Sequence, residues 1–172
     1  MEIVQDGHPA LRKTAKSVPD TAFGTPELKE TIRQMEEAVD AKPNGVALAA
    51  PQIGVSLRIF IVRYDRMLPS PPEGYPVPPP EVGVFINPEI IKSSRRKVVV
   101  DEGCLSVDGV YGQTVRHERA TVRARDIDGN VFERGGGGLL AQAFQHEIDH
   151  LNGTLFTDHA ALLGDPDFHD EA

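Results

Sequence analysis

The chain has one cysteine and no tryptophan among 172 residues. A single cysteine excludes an intrachain disulfide, so no disulfide framework holds this fold, and the chain fits a reducing compartment. Positive charge is also scarce. Lys and Arg number 18 against 26 Asp and Glu, a formal net charge of −8. A general nucleic-acid binder needs a basic face for phosphates, so direct DNA binding is not expected. No apolar run approaches the roughly 20 residues that span a bilayer. The opening MEIVQDGHPALRKTAKSVPD lacks the apolar stretch of a signal peptide. These absences lead to the expectation of a cytoplasmic protein with no membrane partner.

What is present is enough for a core. Hydrophobic residues make up 40% of the chain, and the length suits a single domain over residues 1–172. A helix is predicted over residues 26–41. Thr25 can cap it, Pro26 suits the first helical position, and Leu28, Ile32, Met35 and Val39 recur at helical spacing. Residues 58–63, RIFIVR, read as a buried strand. Residues 67–83 hold seven of the 14 prolines and read as a surface loop, in part polyproline-like. Further strands are predicted at 84–87, 97–101, 121–126 and 130–133, with Asp128-Gly129 as a hairpin turn. Gly135 to Gly138 read either as a weakened, mobile start to the next helix or as a flexible turn. A second helix is expected from about Leu139 to Leu151, stopped by Asn152-Gly153. The tail GDPDFHDEA is acidic. This pattern points to an α+β domain.

The late helix carries QHEIDH. His146 and His150 stand four apart, on one helical face, so both imidazoles can reach one metal ion. Glu147 beside them can hold or deprotonate a water. A metal is useful there because it makes hydroxide available near neutral pH and polarises a carbonyl. Leu140, Phe144, Ile148 and Leu151 form a separate apolar stripe that can pack into the core. A catalytic site needs a third protein ligand. An extended metalloprotease motif would place a histidine at position 156, but Phe156 stands there. Asp158 and His159 are candidates past the helix stop. The lone cysteine, Cys104 in DEGCLS, is another, since a thiolate suits a divalent transition metal.

Three segments together resemble the peptide deformylase family. They are GVALAAPQIG (45–54), EGCLS (102–106) and QHEIDHLNG (145–153), in the family's order. Weaker similarity covers most of the remaining chain. The resemblance implies an α+β fold in which antiparallel strands surround the metal-binding HExxH helix, with an N-terminal helix. It implies Cys104, His146 and His150 as ligands of one divalent metal ion, Fe²⁺ first, with Ni²⁺ or Zn²⁺ as substitutes. Glu147 would be general base and then acid. Gln52 and the backbone N–H of Leu105 would stabilise the oxyanion. The substrate would be the N-formylmethionyl end of a nascent polypeptide, with transient ribosome contact.

On this reading the methionine side chain needs an apolar pocket. Leu139 and Ala143 share a helical face with His146, and Val46 is the third candidate. The peptide backbone would lie extended along Gly45, Val46 and Ala47 by β-addition. Several residues depart from the family pattern. Ala47 replaces a glycine, with a modest effect expected. Asp108 replaces a common proline and should loosen that turn. Gln142, at a position often apolar, makes one pocket wall more polar if it faces inward. The Pro-rich loop is long, and the acidic tail disfavours docking on ribosomal RNA through that tail. Two rivals differ in class: an HExxH zinc peptidase with another third ligand, and a closed, non-catalytic metal module.

Overall fold

The computed structural model describes residues 1–164. The acidic tail beyond Gly164 lies outside these residues. Among them are two α-helices and eight strands, all of whose ladder pairings are antiparallel. This is the expected α+β architecture.

Helix α1, Pro26–Asp40, begins as its sequence dictates. The Thr25 hydroxyl accepts the Leu28 N–H at 3.3 Å, and Pro26 occupies the first turn. Its buried face is Leu28, Ile32, Met35, Ala38 and Val39. Strands β1 (Ala47–Ala49), β2 (Ile59–Arg63) and β3 (Val82–Ser93) follow, then β4 (Lys97–Cys104), β5 (Val107–His117), β6 (Arg119–Arg125) and β7 (Val131–Gly137). Helix α2 is Gly138–Leu151, and β8 is Ala161–Gly164. One sheet has the order β1-β2-β3-β6-β7 and the other β4-β5-β8.

Period-two alternation explains why β2 is apolar throughout. Ile59 and Ile61 face α1, in a cluster with Ile32, Met35, Val39 and Leu48. Phe60 and Val62 face α2, in a cluster with Phe85, Val122, Phe144 and Leu151. The Phe60 and Phe85 rings stack at 4.6 Å, and Phe144 meets Phe85 edge-on at 5.3 Å. This packing pins α2 against the sheet by the stripe read from its sequence. Leu140 and Ile148 are partly buried at its margins.

Several elements depart from the sequence reading. Strand β3 continues past Asn87, where the predicted strand 84–87 ends. The register shifts there, and Asn87 takes φ +50° with its amide bonded to both backbone groups of Val18. A bulge accommodates the missing donor of Pro88. The glycine run is not a flexible turn. Gly135, Gly136 and Gly137 lie in β7, paired with Thr121, Ala120 and Arg119. Only Gly138, at φ +56°, turns the chain, carrying strand directly into helix. Strands β1, β5 and β8 were not expected. In β5 the inward row includes Thr114 and Arg116, so it carries no apolar alternation.

The Pro-rich segment is an excursion between β2 and β3. It opens with a 3-10 turn, Tyr64–Met67. Its ends are clamped together, since Tyr64 N–H donates to the Glu81 carbonyl at 2.9 Å and Glu81 N–H to Asp65 at 3.0 Å. No helix among the described residues is long and apolar enough to cross a membrane.

Candidate active site

Four segments converge on a cleft of about 420 Å³. The first is the stretch leading into β1 with the 3-10 turn Ala50–Ile53 behind it. The second is the end of β4, the third the start of β5, and the fourth the exposed face of α2. Of the expected site residues, Gly45, Val46, Ala47, Gln52, Cys104, Leu105, Leu139, Ala143, His146 and Glu147 all line it. His150 sits behind this wall, 1% exposed.

Helical geometry brings the two histidines together. One turn apart on α2, their Nε2 atoms lie 3.1 Å from each other. Cys104, at the end of β4, places Sγ 3.3 Å from His150 Nε2. These three ligand atoms fall within 4.8 Å of one another, which is the spacing of donors around one ion. The other third-ligand candidates are engaged elsewhere. Asp158 is paired with Arg12 at 2.6 Å, and His159 faces Asp149 at 3.6 Å. Phe156, at the extended-motif position, is buried with Leu11, Val107 and Leu155.

The electrostatics fit a cation at this point. His146 Nδ1 lies 2.5 Å from Glu102 Oε1, so Nε2 is the atom presented to Cys104 and His150. Burial opposes a charge on His146, but hydrogen bonding to Cys104 and Glu102 pulls it well toward the charged form. A metal ion in place of the Nε2 proton would meet the Cys104 thiolate, while Nδ1–H still donates to Glu102. Burial, reinforced by His146, holds His150 well below the usual range and hence in the neutral, ligating form. The donor set of one thiol and two imidazoles suits a divalent transition metal.

Glu102 was not singled out by the sequence, although it stands two residues before Cys104. It is 4% exposed. Its burial raises its pKa, but hydrogen bonds from His146, Arg116 and Thr114 outweigh this and hold it at about 2. Arg116 Nη2 reaches Glu102 at 2.5 Å and Nη1 reaches Asp149 on α2 at 2.7 Å. The result is a buried chain of charges from β5 through β4 to the histidine helix. Its sequence signal was the polar, buried row of β5, which only the pairing with β4 reveals.

Glu147 is 3% exposed, and its Oε2 makes no hydrogen bond within the protein. Burial pushes its pKa up to about 7, against the pull of His146. A carboxyl poised near neutrality can both take and return a proton. Gln52 is oriented from behind. Its Oε1 accepts the Ala49 N–H at 2.9 Å, so Nε2 points toward Ser106 Oγ at 3.1 Å and Cys104 Sγ at 3.7 Å. Leu105 follows Cys104 in the tight turn between β4 and β5.

The walls are mixed. Ala143 is buried and also packs with the sheet, whereas Leu139 is 43% exposed at the rim. Ala47 borders the cleft while its methyl joins the sheet–α2 cluster. Gly45 has a packing reason of its own: a Cβ there would meet Val39 Cγ2 at 2.9 Å. Gln142 does line the cleft, and its Nε2 donates to the Asp101 carbonyl at 2.8 Å. No residue of 67–83 lines it. That loop borders a second cavity of about 490 Å³, and Pro43 touches both.

Comparison with known proteins places this geometry. A family model described as polypeptide deformylase matches residues 1–165. The chain is 46% identical over 136 residues to a peptide deformylase of Roseiflexus castenholzii, covering 77% of this chain and 73% of that one. It is 39% identical to a peptide deformylase of Desulforudis audaxviator, covering 94% of each. Among solved structures, the actinonin-bound class I type b peptide deformylase of Acinetobacter baumannii matches with a TM-score of 0.81 and 30% identity. That match covers 94% of this chain and 98% of that one. The Met-Ala-Ser-bound structure of that protein matches with a TM-score of 0.80 and 32% identity, covering 92% and 98%.

Proposed function

The chain belongs to the polypeptide deformylase family, hydrolases that remove the N-formyl group from nascent peptides, and we propose how its own residues carry that reaction. The observation that carries the assignment of roles is the convergence of Cys104, His146 and the buried His150 beside Glu147 at the wall of the cleft. A divalent ion held by Cys104, His146 and His150 would supply Lewis acidity, making hydroxide available at neutral pH and polarising the formyl carbonyl.

Glu147 takes a proton from the attacking water. The water's oxygen bonds to the formyl carbon, and the carbonyl oxygen gains charge. Gln52 Nε2 and the Leu105 N–H donate to that oxygen, stabilising charge that exists only in the transition state. Glu147 then delivers its proton to the departing nitrogen as the C–N bond breaks. The products are formate and a free methionyl N-terminus. Formyl is the smallest acyl group, so a tight site there selects it over longer ones by size.

The peptide lies extended along Gly45, Val46 and Ala47, which lead into the free edge of β1, with the methionine side chain among Val46, Leu139 and Ala143. Among the described residues β1 pairs only with β2, and Ala47 lines the cleft, which supports this reading. We assign Fe²⁺ as the working ion, with Ni²⁺ or Zn²⁺ as substitutes. Residues 1–172 act as one catalytic domain, in the cytoplasm where nascent chains appear, with transient ribosome contact through a surface other than the acidic tail.

The test is formate release from formyl-Met-Ala-Ser, with acetyl-Met-Ala-Ser as control and preparations made with and without air. Formate from the formyl peptide alone is expected, with more turnover from the anaerobic preparation, because ferrous iron and the thiolate are both oxidisable. No formate from either preparation contradicts the assignment.

A further inference from the structure

Three consecutive residues near the N-terminus hold both flanks of the oxyanion site. Val4 N–H donates to the Gln52 carbonyl at 2.8 Å, and Asp6 N–H to the Ser106 carbonyl at 2.7 Å. Between them, Gln5 spans the turn after Cys104. Its Nε2 donates to the Leu105 carbonyl at 2.9 Å, and its Oε1 accepts the Asp108 N–H at 3.2 Å. Gln5 is exposed, yet both ends of its amide are committed to backbone a hundred positions away.

The consequence is local and geometric. The peptide unit joining Leu105 to Ser106 is held on both sides, its carbonyl by Gln5 and its N–H by Cys104 Sγ at 3.4 Å. The preceding peptide unit carries the Leu105 N–H. The two units share the Leu105 Cα, so the bond from Gln5 to the second unit limits how far the first, with its Leu105 N–H, can swing. Val4 does the same for the 3-10 turn that carries Gln52. Donors to a developing oxyanion work only when their positions are fixed in advance.

We propose that residues 4–6 form a strap that sets the spacing between Gln52 and Leu105, and that Gln5 is a positioning residue for hydrolysis. The proposal rests on Gln52 and the Leu105 N–H being the oxyanion donors. Because Gln5 is exposed, its truncation removes no core packing.

In the metal-loaded enzyme, Gln5→Ala lowers kcat for formyl-Met-Ala-Ser about tenfold and leaves KM within about twofold. Amide hydrogen exchange accelerates at Leu105, Ser106 and Asp108, while Phe60 and Val122 in the large sheet keep their rates. Gln5→Glu retains the acceptor for Asp108 but sets a carboxylate oxygen against the Leu105 carbonyl, so its kcat falls with that of the alanine variant. Unchanged exchange at 105–108 in Gln5→Ala overturns the strap. Faster exchange with full kcat, or full kcat in Gln5→Glu, overturns the positioning role. Gln52→Leu separates the two readings. If its kcat is unchanged, the oxyanion assignment itself falls, whatever the exchange data show.

Discussion

The carboxylate of Glu102 meets His146 Nδ1 at 2.5 Å and at the same time pairs with Arg116, so one buried anion both orients this imidazole and anchors a strand. Glu102→Gln keeps the shape but removes the charge. Arg116 then retains only Asp149 as an anionic partner. Metal affinity should fall roughly 10- to 100-fold, as for other residues that orient a ligating histidine. Unfolding free energy should fall by about 3 kcal/mol, because a buried arginine loses its nearest counter-charge. Chelator competition on the zinc-loaded protein and urea unfolding read the two effects separately.

Ala143 closes the cleft beside His146 with a single methyl group. Ala143→Leu fills the space proposed for the methionine side chain. KM for formyl-Met-Ala-Ser should rise about tenfold or more, with a smaller penalty for formyl-Ala-Ala-Ser, since apolar pockets discriminate by filled volume. Equal losses on both peptides would place the methionine elsewhere.

Asp65 links acidity to stability. Its hydrogen bonds from Arg63 hold its carboxyl at about 2, below the ordinary 3.8. A depressed carboxyl contributes stability that is fully present above pH 4 and is lost as pH falls toward 2. From pH 6 to pH 3, urea unfolding of the wild type should lose about 1 kcal/mol through this one group. The margin of the wild type over Asp65→Asn should narrow by the same amount across that interval.

The Pro-rich excursion is clamped at Tyr64, Asp65 and Glu81, and none of its residues reaches the cleft. Replacing residues 69–79 with two glycines should therefore leave the fold intact. Stability should shift by less than about 1 kcal/mol, because closure entropy varies slowly with loop length. A raised KM in steady-state assays of this variant would show that the loop does contribute to substrate binding.

The parts legible in the sequence were those carried by local rules. Thr25 and Pro26 start α1, the unbroken apolar run 59–62 marks a strand buried on both faces, and the spacing of His146 and His150 fixes their common face. The choice of Cys104 as the proposed third ligand came only through the resemblance, because nothing local ties residue 104 to residue 150. Strand β5 was not legible, since Thr114 and Arg116 point inward to meet Glu102 and break the apolar pattern. The glycine run misled for a related reason. Glycines at 135–137 belong to a strand whose neighbours, Thr121 and Leu140, crowd its backbone. Gln5 carries no local signal either, because both its partners lie across the fold.

The most direct test of the proposed chemistry is Glu147→Gln, assayed for formate release together with metal content. The substitution preserves shape and leaves Cys104, His146 and His150 untouched. The expected result is full metal occupancy with kcat lowered roughly 10²- to 10⁴-fold, the usual contribution of a general base. Full occupancy with undiminished turnover would contradict it, because the proton would then be moving by a route that does not use Glu147.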